Sequence, residues 1–203
     1  MFLQLAVFDL DFTIWQPEMY QIYGPPKLTA LKSLETKKKR KRKNDCASEL
    51  QLKGFYETTQ KGMIVTDAKK NPITVFHGAS YALSEINRLN KERIDEGGII
   101  QTAIASCTDK PTWARSCMKW LIIEDGSSLQ SCFHPSLIEI QKGDKTKHFE
   151  SLFRKTGIPY ENMCFFDDLE FNIASVAELG VKCIHTPEGM TPNDWDSALE
   201  LFN

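Results

Sequence analysis

The 203-residue sequence predicts an α/β fold, a parallel sheet with helices on both faces. Short apolar runs alternate with longer runs of helical periodicity. Several of the apolar runs end abruptly in acids or hydroxyls. Composition agrees: 41% hydrophobic and 26% charged residues suit one globular domain, long enough to bury a core.

Taken in order, Leu3 to Asp9 reads as a buried strand with an acidic tip. Trp15 to Pro26 holds Pro17, Gly24, Pro25 and Pro26 and reads as loop. Lys37 to Lys43, KKKRKRK, cannot bury itself and repels itself, so about residues 35–60 read as a mobile basic insertion in the single domain. Met63 to Thr66 and Ile73 to Phe76, around Lys69-Lys70-Asn71-Pro72, read as a β-hairpin. Ser80 to Glu92 spaces Tyr81, Leu83, Ile86 and Leu89 as an amphipathic helix, broken by Gly97-Gly98.

Ile99 to Ala105 is a second buried strand, ending at Ser106-Cys107-Thr108. Asp109 and Pro111 start a helix that runs to about Leu121. Leu137 to Ile140 is a short strand, and Lys145 to Thr156 a helix stopped by Gly157. Met163 to Phe166 is a strand leading into Asp167-Asp168. Asn172 to Leu179 is a helix stopped by Gly180, and Val181 to His185 a strand. Thr191-Pro192 caps a last helix carrying Trp195, Leu199 and Phe202. No internal repeat is visible.

A net charge of -2 gives no global pull toward nucleic acid or acidic membranes. Of the six cysteines (Cys46, Cys107, Cys117, Cys132, Cys164 and Cys183), none forms a C-x-x-C pair and none has zinc spacing. They read as reduced, partly buried thiols of an intracellular protein. Met1 to Phe8 lacks the basic start of a secretory leader, and Asp9 and Asp11 end it early. No apolar stretch is long enough to span a bilayer. The expectation is a soluble, monomeric protein of the cytoplasm or nucleus, with no membrane or nucleic-acid partner. Lys37 to Lys43 reads as a nuclear import signal, a grip for acidic partners, or a solvated loop.

In parallel sheets, ligands bind beyond the carboxyl ends of the strands. Asp9 and Asp11, Ser106 and Thr108, and Asp167 and Asp168 all fall there. Carboxylates gathered at one edge repel each other, and a hard cation removes the conflict. Mg²⁺ suits a few carboxylates completed by waters and a substrate phosphate. One carboxylate can then attack phosphorus. Phosphoryl transfer needs positioning and charge neutralisation, which a metal, a lysine and a hydroxyl supply.

Blander readings stand beside these. Asp9 and Asp11 suit turns. Asp167, Asp168, Ser106 and Thr108 suit helix N-caps. Lys145 has Lys142 and Lys147 as neighbours, and any one lysine is usually solvated. Trp15 reads as core or as shaping the site mouth. His148 packs or caps rather than binding metal. Cys107 reads as a small filler or a reactive thiol beside the site.

Asp9-Leu10-Asp11-Phe12-Thr13 fits the D-x-D-x-T signature of haloacid dehalogenase (HAD) phosphatases, directly after an apolar strand. VFDLDFTIW, Ala105-Ser106-x-Thr108, Lys145-x-x-His148-Phe149-Glu150, Lys155 to Pro159 through Phe165-Phe166-Asp167-Asp168, and VKCIHTPEGM resemble the eukaryotic magnesium-dependent phosphatase-1 family. The resemblance covers most of the chain except about 35–60 and 90–98. It implies a HAD-like Rossmannoid sheet with the hairpin as a minimal cap and no large cap domain.

The same resemblance implies a Mg²⁺-dependent phosphate monoester hydrolase. In it Asp9 is the nucleophile and Asp11 the acid, then base. Asp9, the main-chain carbonyl of Asp11, and Asp167 hold the metal. Asp168 and Asn172 stand one layer behind it. Leu10, Ser106, Cys107, Thr108 and Lys145 surround the substrate phosphate, with Lys145 neutralising charge. The family is linked to both protein phosphotyrosine and phosphorylated sugar-amine adducts, and the sequence leaves phosphoprotein and small-molecule substrates open. Cys107 stands where the family usually has arginine, and Leu169 and Phe171 replace polar residues. A phosphotransferase on the same fold and a phosphate-binding adaptor are the rival classes, which fold alone does not separate.

Overall fold

A computed structural model describes residues 2–31, 62–92 and 98–202. The 35–60 insertion, its Lys37 to Lys43 run, Cys46 and Gly97 lie outside the described residues. The strands are β1 Leu5–Phe8, β2 Trp15–Gln16, β3 Lys27–Ala30, β4 Met63–Thr66, β5 Thr74–Val75, β6 Gln101–Ser106, β7 Ile138–Ile140, β8 Met163–Asp167 and β9 Lys182–His185. The helices are α1 His77–Glu92, α2 Pro111–Trp120, α3 Lys145–Thr156, α4 Glu170–Ala177 and α5 Pro192–Glu200.

Five strands form one parallel sheet in the order β7-β6-β1-β8-β9. Its central strand, Leu-Ala-Val-Phe, is buried on both sides, as a parallel strand between two helical layers must be. Alternation then sorts the core. Ala6, Phe8, Ile104 and Phe166 face Leu83, Ile86, Met118 and Trp195 of α1, α2 and α5. Leu5, Val7, Ala105 and Phe165 face Phe149, Leu152 and Val176 of α3 and α4. Phe8 stacks on Phe166 at 5.0 Å between centroids, and Phe149 meets Phe165 edge-on at 5.0 Å. Each such side chain contributes about 1.5–3 kcal/mol by leaving water.

Register sets the site. Phe8 lies opposite Ile104 on one side and Phe166 on the other. The next residues, Asp9, Ala105 to Ser106, and Asp167, therefore emerge together at the carboxyl edge. The Asp9 N–H still donates to the Phe166 carbonyl at 3.0 Å, so Asp9 is pinned by the ladder.

Helix ends follow the expected chemistry. Asp144 caps α3 by accepting from the Thr146 N–H, and Gly157 ends it at φ 68° with its N–H on the Phe153 carbonyl. Thr191 and Asp194 form a capping box for α5. Helix α1 starts at His77, ahead of the expected Ser80. Gly78 allows this, since a Cβ there would stand 2.2–2.4 Å from the Met190–Thr191 backbone.

The expected hairpin is present as a turn closed by a short antiparallel bridge between Thr66 and Pro72. Asp67 accepts from the Asn71 N–H and side-chain amide, and the Ile73 N–H donates to the Val65 carbonyl at 2.9 Å. The longer ladders go elsewhere: β4 pairs antiparallel with β3, and β5 with β2. Both partners lie at or just beyond a stretch whose prolines and glycine read as loop. In β3 the usual pattern is inverted, with Leu28 exposed and Thr29 buried. Thr29 is satisfied by a 2.7 Å hydroxyl pair with Thr66, a contact invisible to hydrophobic periodicity.

Among the described residues no helix is long and apolar enough to cross a membrane. The five described cysteines are free thiols.

Candidate active site

The tip of β1 folds into a tight loop. Ile14 and Trp15 donate their N–H groups to the Leu10 carbonyl at 3.0 and 3.2 Å, and Phe12 donates to Trp15 at 2.9 Å. Phe12 sits at φ 58°, a costly conformation for a bulky residue that the surrounding bonds enforce. The loop presents Asp11 beside Asp9. Leu10 between them is fully buried in the core, so only its main chain is available to a ligand.

Lys145 ties the edge together. It is the first residue of α3, directly after the Asp144 cap, and its side chain is buried. Buried to 2% exposure, its Nζ lies 2.5 Å from Asp9 Oδ1, 3.0 Å from Asp167 Oδ2 and 2.5 Å from the Ala105 carbonyl. Lys142 and Lys147 are exposed. Asp167, the last residue of β8, also accepts from the Asn172 amide at 2.9 and 3.1 Å and from the Leu169 N–H at 2.9 Å. The N-cap position of α4 belongs to Leu169, not Asp168, so Asp168 is left facing the cavity.

Asp11 has a different partner. The indole Nε1 of the fully buried Trp15 donates to its Oδ1 at 2.8 Å. Ser106 ends β6 and is almost fully buried. Thr108 accepts the Lys110 N–H at 3.3 Å, the local turn role expected of a residue before a helix. Cys107 donates to the Gly143 carbonyl at 3.1 Å. Burial pushes that thiol above its ordinary range, which disfavours the reactive-thiolate reading. His148 packs inside α3, where neither ring nitrogen has a hydrogen-bond partner among the described residues.

A cavity of about 330 Å³ opens over these groups. Asp9, Asp11, Ser106, Cys107, Thr108, Lys145, Asp168 and Asn172 all line it, with Asp167 bonded beneath through Lys145 and Asn172. Trp15, read from the sequence as core or as shaping the site mouth, completes the surroundings with the Ala105 carbonyl, Glu18 and Tyr20, and these last three had no signal in the sequence sharper than their neighbours. Only Trp15, four residues beyond Asp11 and able to donate a single hydrogen bond, offered a hint.

Negative charge is in excess. Burial raises Asp9 to about 7, against the pull of Lys145 and with help from Asp167 and Asp11. Burial likewise raises Asp11 to about 6, opposed by the Trp15 bond. Asp168 rises to about 6 through burial and the neighbouring Asp167. For Lys145, burial acts to lower the ammonium, but Asp9 and Asp167 outweigh it and hold it above the ordinary lysine range. One lysine among four aspartates leaves the edge short of cationic charge.

The donors suit a hard cation: carboxylate oxygens of Asp9 and Asp167, with the Asp11 main chain adjacent. Among the described residues no three acidic, imidazole or thiol side chains converge into a closed cage. A two-carboxylate site completed by waters and substrate is what Mg²⁺ accepts.

A parallel sheet of this order, with an aspartate at the tip of its central strand bonded to a lysine from a later helix, defines the HAD-like class. The chain belongs to the acid phosphatase family, whose model matches residues 1–203. A human protein, magnesium-dependent phosphatase 1, is 50% identical over 64 residues. That stretch is 32% of this chain and 36% of the relative, so the match spans about a third of the curated protein's length. Two solved structures share the fold. A haloacid dehalogenase-like hydrolase from Xanthomonas campestris superposes with a TM-score of 0.54 at 13% identity, covering 98% of this chain and 92% of its own. The phosphatase-domain-containing N-terminal part of a Bacteroides fragilis protein, solved with Mg, gives 0.51 at 16% identity, covering 100% and 40%.

Proposed function

We propose that the protein is a Mg²⁺-dependent phosphate monoester hydrolase that works through an aspartyl-phosphate on Asp9. The observation that carries the reading is the Lys145 ammonium, 2.5 Å from Asp9 and 3.0 Å from Asp167, at the floor of a cavity also lined by Asp11 and Ser106. Family membership and the human relative's name support it.

Asp9 is the attacking group. Its backbone is fixed by the sheet ladder and its carboxylate by Lys145, so little reorganisation precedes attack. Lys145 and the Ser106 hydroxyl stabilise charge on the transferring phosphoryl oxygens. Asp11 gives its proton to the departing alkoxide oxygen and then takes one from the water that releases phosphate. Trp15 restricts Asp11 to one rotamer for both steps.

Asp9, Asp167 and the Asp11 carbonyl would hold Mg²⁺, with Asn172 steadying Asp167 and Asp168 adding negative charge beside it. The ion supplies charge neutralisation to the carboxylates and the phosphate. Substrates are phosphoproteins carrying phosphotyrosine or small phosphosugars.

The test is hydrolysis of para-nitrophenyl phosphate with Mg²⁺ and with chelator, intact protein against Asp9→Asn. Metal-dependent turnover that the variant lacks is the expected result. Equal turnover by both proteins would remove Asp9 as the nucleophile.

A further inference from the structure

We propose that Leu169 and Phe171 form an apolar leaving-group subsite. It selects phosphate monoesters whose organic body is aryl or arylalkyl and carries no second anion. This rests on the phosphatase reading above and, of the two substrate classes given there, selects the aromatic one against the phosphosugar.

The phosphoryl cavity continues, past Cys107, Leu169 and Asn172, into a second recess of about 320 Å³ that Phe171 and Ser175 also line. Leu169 is 45% exposed and Phe171 66%, although both are large and apolar. Single exposed hydrophobics are ordinary, but two that line adjoining recesses beside a reactive centre form a binding surface. Tyr20, 68% exposed, adds an aromatic ring to the lining of the first cavity.

Their placement is fixed by the chemistry itself. The Leu169 N–H is bonded to Asp167, and Asn172, also bonded to Asp167, follows Phe171 in the chain. The short helix that orients the metal-side carboxylate therefore holds the apolar wall at a set distance from the phosphoryl site.

Charge sharpens the selection. The two recesses are lined by Asp9, Asp11, Glu18, Asp109, Asp144 and Asp168, and by Lys145 as the one base among described lining residues. Lys145 is already engaged by Asp9, Asp167 and the Ala105 carbonyl. At the margin, Lys110 pairs with Asp109 at 3.2 Å. A single phosphate is served, whereas a second phosphate or a carboxylate would face acids with no cation to meet it. A polyol would meet the side chains of Leu169 and Phe171, which offer its hydroxyls no hydrogen bond.

The experiment compares kcat/KM, with Mg²⁺, for benzyl phosphate, glycerol 1-phosphate and 3-phosphoglycerate, all alkyl esters. The same proteins are titrated calorimetrically with benzylphosphonate and methylphosphonate, which read the subsite without turnover. Benzyl phosphate is expected first and 3-phosphoglycerate last, with benzylphosphonate binding more tightly than methylphosphonate. Phe171→Ser and Leu169→Ser, made separately at these exposed positions, are each expected to lower both preferences by about tenfold.

Equal kcat/KM for the benzyl and glycerol esters, or phosphonate affinities indifferent to both variants, would overturn the subsite. A dimer that dissociates on Phe171→Ser and is not displaced by benzylphosphonate would also overturn it, as a self-association face. Absence of turnover of every ester, with the phosphonate preference intact, would instead strike at the phosphatase reading and leave the subsite standing.

Discussion

The floor of the cavity and its outer wall are built on opposite principles. On the floor, Asp9, Lys145 and Asp167 are buried and interlocked, each bonded to at least one of the others. On the wall, Leu169, Phe171 and Tyr20 are exposed, and Tyr20 carries only weak local bonds to Glu18 and Gln21. Burial gives the floor strong, directional electrostatics but makes every member dependent on its partners. Exposure leaves the wall free to vary without cost to the fold. Substitutions on the floor should therefore affect every substrate, and those on the wall only the ranking of substrates.

The largest expected effect is that of Asp9→Asn. Removal of the proposed nucleophile should lower kcat for every phosphate ester by at least about a thousandfold, while the variant remains folded by circular dichroism. Retained kcat for some esters would break the contrast between floor and wall.

Lys145→Met comes next. It leaves Asp9 and Asp167 buried without their shared cation, a change worth about 3–5 kcal/mol when one partner of a buried pair is removed. A fall in Tm is expected, partly restored by added Mg²⁺, together with a loss of turnover of about a hundredfold or more. An unchanged Tm would show that the floor is not interdependent.

Trp15→Phe should have a smaller and selective effect. It keeps the core filled but removes the 2.8 Å bond to Asp11. Turnover of alkyl esters, which need proton donation to the leaving oxygen, should fall by about tenfold, and that of para-nitrophenyl phosphate by less. An equal loss for both ester types would make Trp15 a packing residue only.

The smallest effect concerns His148, buried with both nitrogens unpartnered. Burial first, and then Lys145, depress its pKa in the folded protein, while Glu139, the nearby Gln141 main chain and Asp144 oppose this. Below about pH 6.5 the unfolded chain takes up a proton that the folded protein refuses, so stability from this group is lost as pH falls through that value. The raised Asp9, Asp11 and Asp168 act in the opposite direction, but they are common to wild type and variant. Comparing Tm between pH 7 and pH 5, His148→Met should lose less than the wild type does. Parallel Tm curves would show that His148 does not titrate differently on folding.

How much was legible beforehand differs between the same two regions. Most of the floor was readable, because D-x-D-x-T follows an apolar strand and the other polar residues fall at strand ends. Thr108 and Cys107 were placed near the site, and the structure gives both local bonds as well. For the wall, only the unusual identity of Leu169 and Phe171 was visible, not their exposure or the recess they border.

The sequence by itself determined the elements whose signals are local. Strand β1 is a continuous apolar run, α3 lies between Asp144 and Gly157, and α5 opens on its capping box. Each depends on residues within a few positions of one another, where periodicity and capping act. Lys142, Lys145 and Lys147 are chemically alike; the family resemblance pointed to Lys145, and the tertiary structure sets it against Asp9. Lys145 lies 136 positions from Asp9, and the two meet because β1 and the start of α3 come together at the same sheet edge. The partners of β4 and β5 were likewise settled by distant contacts: a threonine pair and a two-residue ladder carry too little hydrophobic pattern to be seen along the chain.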